Sequence, residues 1–175
     1  MGIASAFAAR LRRWATRRHG RDSLPHSVVR RRIYIVPTRF GALLAIMLVA
    51  MLIAGLNYGS NLALAFAFLM AALAIVAMHH CHRNLLEVTL EALPASDAFA
   101  GSDAALCFTL RSVSGYDRHD LEIHCEGAAP ALFNLPANGT AYVQVARPCG
   151  TRGVIDLPQW ELRTRYPFGW FRAWT

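Results

Sequence analysis

Four consecutive side chains could ligate a metal, because His79, His80, Cys81 and His82 combine imidazole and thiol donors in one run. A tetrahedral site needs ligands that converge from spaced positions, and consecutive residues leaving a helix point in different directions. The run therefore reads as a polar cap on an apolar helix, and no metal is expected. The four cysteines, at positions 81, 107, 125 and 149, include no pair spaced C-x-x-C, so a zinc site or redox pair has little support. Ser114, Asp117, His119 and Asp120 supply the residue types of a nucleophile and its base. A triad, however, is assembled by convergence in space, and four such residues adjacent in sequence read as a polar hairpin loop. The chain contains no phosphate-binding loop, dinucleotide fingerprint or HExxH motif. No active site is indicated, and no cofactor is expected.

Residues suited to recognition lie instead near Thr175. Tyr166, Phe168, Trp170, Phe171 and Trp174 place five aromatics within Tyr166–Trp174, whereas exposed tails are poor in aromatics. Pro167 and Gly169 break both helix and strand, so the segment should turn, and Arg172 can set a charge at its rim. The five aromatics are candidate partner-docking residues. The surfaces available to cover them are the edge of the preceding β-domain, a membrane interface, and any domain that follows.

The elements that must position these residues are set by composition. The chain has 175 residues, 55% of them apolar and 17% charged, with a net charge of +7. That length excludes a large multidomain enzyme, and the apolar fraction excludes global disorder, leaving a membrane protein as the leading class. All 18 basic residues are Arg, which fits a GC-rich coding bias. Their distribution matters more than their number. Residues 1–39 hold ten Arg against Asp22 alone, a charge of +9, while the rest of the chain is slightly acidic. An Arg excess beside an apolar segment resists translocation, so the leader is expected in the cytoplasm.

Two uncharged apolar stretches follow, Phe40–Leu56 and Leu62–Met78, each of 17 residues. At 1.5 Å per residue each covers about 26 Å, slightly less than the roughly 30 Å hydrocarbon core. The flanks extend them: Pro37 and Thr38 can start the first helix, Arg39 can snorkel, and Tyr34 and Tyr58 are placed as interfacial aromatics. The connector Asn57–Asn61 is short enough only to reverse the chain. A transmembrane helical hairpin with both ends cytoplasmic results. Two buried helices of a soluble fold would need more covering than the 91 following residues provide for helices apolar on every face. A cleaved signal would need a shorter charged region and no second span.

In the leader, Ile3, Phe7, Leu11 and Trp14 fall within about 80° of arc on a helix, which suggests an amphipathic helix on the inner membrane surface, although Arg10 and Arg18 intrude. A basic tail is the plainer alternative, and nucleic-acid binding is not expected beside two spans. After Met78 the period changes to two. Leu86, Val88 and Leu90 alternate with Glu87, Thr89 and Glu91; the same pattern recurs over 106–111 and 121–126. Further strands are expected at Thr140–Arg147, Gly153–Leu157 and Trp160–Tyr166, separated by turn residues. Six or seven short strands over residues 85–165 predict a small antiparallel β-sandwich. The organisation is thus a basic cytoplasmic leader (1–32), a hairpin (33–84) and a cytoplasmic β-rich domain with an aromatic C-terminal segment (85–175).

Four strings in this order carry a family resemblance: Arg32–Gly41 (RIYIVPTRFG), Asn57-Tyr58 with Asn61-Leu62, His82–Leu85 (HRNL), and Tyr166–Trp174 (YPFGWFRAW). Over residues 31–174 the chain resembles the N-terminal half of the bacterial "domain of unknown function 58" membrane proteins, the last string being the most specific. The resemblance implies two spans, a β-rich segment and then a von Willebrand factor A-like domain. It also implies MoxR-type AAA+ ATPases and transglutaminase-like membrane proteins as genomic neighbours. The chain stops at Thr175 and holds no DxSxS motif, so no metal role carries over. The expected function is a non-enzymatic inner-membrane anchor whose β-module recruits partners, among them an AAA+ ATPase and other membrane proteins. The alternatives are a subunit of a transglutaminase-like or hydrolytic envelope system, and a truncated remnant.

Overall fold

Leu, Ala, Ile, Met and Phe fill the two apolar stretches without a charge or an internal proline, and both form single helices. A computed structural model describes residues 26–27, 33–93, 99, 101–149 and 159–175. Helix α1 spans Arg39–Asn57 and α2 spans Asn61–Leu85. Each opens on a hydroxyl cap: Thr38 Oγ1 accepts from Gly41 N, and Ser60 Oγ accepts from Ala63 N. Between them Tyr58 and Gly59 turn the chain, and the position of a Cβ on Gly55 lies 2.9 Å from Leu64, so the helices run antiparallel in contact. Both are long and apolar enough to cross a membrane, and only 11% of each apolar window is buried inside the protein.

The period-two segments form antiparallel sheets. Labelled in chain order, the strands are β1 (His26–Ser27), β2 (Tyr34–Pro37), β3 (Val88–Ala92), β4 (Asp103–Ser112), β5 (Arg118–Cys125), β6 (Ala131–Leu135), β7 (Thr140–Pro148), β8 (Trp160–Thr164) and β9 (Phe171–Trp174). One sheet has the order β1-β3-β4-β7 and the other β2-β9-β8-β5-β6. Leu90, Leu106, Phe108, Leu110, Val143 and Val145 of the first sheet share one core with Leu121, Ile123, Cys125, Leu135, Leu162 and Ala173 of the second. Alternation along β4, with every second side chain buried, is what a strand with one face inward produces. Two antiparallel sheets after two long apolar helices are therefore the architecture of the described residues.

Three features depart from the sequence reading. The sandwich is not confined to residues 85–165, because β1 and β2, ahead of the hairpin, pair with β3 and β9. Tyr34 is accordingly a strand residue, half-buried and stacked on Trp174 at 6.0 Å between ring centroids, not a free interfacial aromatic. Second, α2 does not stop at Met78. It continues through the histidine run to Leu85, and Cys81, Asn84 and Leu85 are buried among the strands. Hydropathy ends at Met78, but the backbone hydrogen bonding that defines a helix does not depend on hydropathy. Third, β6 and β9 were not anticipated, since short strands carry too few alternations to announce themselves. The amphipathic leader helix and the strand expected at Gly153–Leu157 lie outside the described residues.

Candidate functional site

Three of the four strings that carry the family resemblance meet at one place, the junction where both helices enter the sandwich, while the fourth, Asn57-Tyr58 with Asn61-Leu62, lies at the turn that closes the other end of the hairpin. The chain reaches α1 from β2, and Thr38 occupies the gap. Its backbone N–H donates to the Trp170 carbonyl at 2.8 Å and its hydroxyl to the Gly169 carbonyl at 2.6 Å. The same oxygen caps α1 by accepting from Gly41 N. One threonine thus ties the helix start to the aromatic turn before β9. Gly41 lets the two come this close: a Cβ there would sit 2.1 Å from the Trp170 carbonyl oxygen, which only a shift of backbone could relieve. Gly41→Ala should therefore cost about 1–3 kcal/mol, measured as a lower melting temperature of the purified protein in detergent. An unchanged melting temperature would show that helix and turn do not pack in this way.

The other helix is tied by Asn84 in its last turn. Asn84 Nδ2 donates to the His119 carbonyl at 2.7 Å and to Thr164 Oγ1 at 2.8 Å, while its Oδ1 accepts from His119 N at 3.3 Å. A buried amide is thereby satisfied on both sides, and it clamps β5 and β8 to the helix. Beside it lies Arg118, fully buried. Its Nη1 donates to the Asn84 carbonyl at 2.9 Å and the Arg83 carbonyl at 3.3 Å, Nη2 to Ser114 Oγ at 2.8 Å, and Nε to Ser112 Oγ at 3.1 Å. Among the described residues no carboxylate pairs with it. Its counter-charge is instead the C-terminal end of α2, whose last carbonyls carry the negative pole of the helix dipole and would otherwise lack partners. Burial lowers the Arg118 pKa, and Tyr116 and Glu87 oppose that shift. Tyr116 completes the cap, donating its hydroxyl to the Arg83 carbonyl at 2.9 Å while the Arg83 guanidinium lies 4.0 Å from its ring.

The five aromatics have unequal fates. Trp174 and Phe171 belong to β9, Trp174 buried and Phe171 packed against the core. Tyr166 is half-buried against the His119 ring, with centroids 5.4 Å apart. Phe168 and Trp170 pack with ring centroids 4.8 Å apart and planes tilted by 37° in the turn between β8 and β9, and of the five only Phe168 is largely exposed, at 53%. The turn forms as the sequence suggests, with Gly169 in the left-handed region (φ 71°) and its N–H bonded to the Arg165 carbonyl. Much of the segment is thus built into the second sheet, as β9 between β2 and β8, and its turn lies against the base of α1.

The polar cluster around Ser114 is employed in the fold. Ser114 is buried on Arg118, Asp117 accepts from Ala137 N at 2.9 Å, and His119 serves Asn84 through its backbone. No group of three His, Cys, Asp or Glu side chains able to hold a metal occurs among the described residues. Burial pushes the Cys125 thiol up to about 11, so it behaves as an apolar core residue, with Arg147 countering weakly. Sequence reasoning placed Thr38 at the start of the first helix but overlooked Asn84 and Arg118. The signal for Asn84 was present, an asparagine close to where a helix must end.

Fold and junction together define a class, a two-helix apolar hairpin rooted in a two-sheet β-domain. No protein-family model, curated protein or solved structure matches the chain.

Proposed function

We propose that the chain is a non-enzymatic integral-membrane anchor of the bacterial inner membrane, with both termini in the cytoplasm, whose β-domain recruits protein partners. The observation that carries this reading is the state of the hairpin. Ile46, Met47, Ile53, Leu62, Phe68 and Ile75 are all more than half exposed, an apolar surface that a bilayer covers and water does not. The Arg-rich leader supports the orientation by the positive-inside rule. The structural duties of Ser114, Asp117 and His119 support a role without catalysis. The resemblance to the "domain of unknown function 58" proteins supports an AAA+ ATPase of the MoxR type as the partner.

Because α2 runs unbroken from the span into the sandwich core, the β-domain stands on the membrane without a flexible linker. Such a module suits a fixed platform better than a tethered arm. Alkaline phosphatase, active only after export, should be inactive when fused after Thr175. High activity there would place the β-domain on the outer side and reverse the reading.

A further inference from the structure

We infer that the Phe168–Trp170 turn is a membrane-contacting element, seated at the lipid headgroup level and holding the sandwich against the bilayer surface. This deepens the anchor reading and rests on it. The argument is one of height along the hairpin. Thr38 bonds the Gly169 and Trp170 carbonyls, and the Trp170 carbonyl lies against Gly41. The turn is therefore held level with the first turn of α1, where Arg39 is followed at once by the apolar stretch. On the second helix, counting equal steps from the Gly55–Leu64 contact brings His80 level with Arg39. His79 and His80 are exposed there, and Cys81, one residue on, is already buried with its thiol 3.9 Å from the Thr164 carbonyl. The apolar stretches thus end where the sandwich begins, and the aromatic turn lies in that same plane.

The chemistry of the turn suits that level. Phe168 offers an exposed apolar ring, Trp170 an amphipathic one, and Arg39 and Arg165, both exposed, flank them with positive charge. Aromatic rings beside basic residues are the composition of a membrane interface and favour anionic lipid headgroups. The spans are short as well: about 26 Å of apolar helix against about 30 Å of hydrocarbon draws the bilayer surface toward the base of the sandwich. A lipid surface is thus the occupant that geometry and charge select over a second protein.

The full-length protein, reconstituted in phosphatidylethanolamine–phosphatidylglycerol vesicles brominated on the upper acyl chain, tests this with three tryptophan variants read as differences from wild type. Ile46→Trp, in the middle of α1, reports whether the hairpin is in the bilayer. Phe168→Trp reports the turn. Leu132→Trp, at an exposed site on the β6 edge, is the reference for a side chain away from lipid. The expected result is strong quenching of Ile46→Trp, and quenching of Phe168→Trp about threefold greater than that of Leu132→Trp. Quenching of Ile46→Trp with Phe168→Trp no more affected than Leu132→Trp overturns the inference and leaves the anchor standing. Blue-shifted Phe168→Trp emission without bromine quenching also overturns it, because a protein surface then covers the turn. Absence of quenching at Ile46→Trp overturns the anchor reading together with the inference.

Discussion

Replacing Arg118 with alanine should lower the stability of the purified protein by about 3–5 kcal/mol, a large share of the roughly 5–15 kcal/mol that holds a domain together. The guanidinium is fully buried and reaches four oxygens, those of Ser112, Ser114, Arg83 and Asn84. The two serine hydroxyls lie 2.9 Å apart and can still pair with each other after the substitution. Among the described residues the Asn84 carbonyl has no such second side-chain donor, whereas the Arg83 carbonyl keeps the Tyr116 hydroxyl at 2.9 Å. Leaving a buried acceptor without its donor costs about 1–3 kcal/mol, and the emptied volume adds a cavity term. Arg118→Met separates the two contributions, since it fills much of the volume and restores no donor. It should recover only the cavity part. Chemical denaturation in a mild detergent, followed by tryptophan fluorescence, measures both variants. A loss below about 1 kcal/mol for Arg118→Ala would show that the end of α2 is satisfied in another way.

An arginine at Ile46 or Ala72 should impair membrane integration, at a cost of about 2.5–3.5 kcal/mol per substitution on the insertion scale. Both positions are exposed on the hairpin, Ile46 at 67%, so the new charge would meet whatever surrounds the helices. That makes the experiment decisive between environments. In lipid the guanidinium has no water and the apolar stretches, already near the minimum length, lose their margin. In water the same substitution would be neutral or would raise solubility. Membrane fractionation and a reporter fused after Thr175 measure the outcome. Normal integration and unaltered topology of both variants would count against the spans at Phe40–Leu56 and Leu62–Met78.

Both effects bear on one mechanical idea, that hairpin and sandwich form a single body. Thr38 and Asn84 each bond to residues on the far side of the junction, and Arg118 closes α2 with donors carried by β5. Any force applied to the β-domain by a partner would pass to the helices through these contacts without slack.

Local pattern determined a good part of this molecule. An uncharged run is legible wherever it occurs, so the sequence places the helices within a residue at three of their four ends, Phe40, Leu56 and Leu62 against the observed Arg39, Asn57 and Asn61. The period-two strands at 106–111, 121–126 and 140–147 overlap β4, β5 and β7 for the same reason, since alternation is a property of neighbouring residues. Tertiary structure decided what lies beyond reach of a window. Tyr34–Pro37 became a strand only because Phe171–Trp174, more than 130 residues later, supplies its partner. Arg118 offers the clearest case. Leu121, Ile123 and Cys125 face inward, and strict alternation would extend that face to His119 and send Arg118 to solvent. A register shift between Arg118 and Leu121, with Asp120 in the left-handed region at φ 51°, reverses the parity and turns the guanidinium into the junction. Nothing in the alternation itself announces such a bulge. The end of α2, with its exposed carbonyls waiting for donors, makes the inward position the favourable one, and that end exists only once helix and sheet have met.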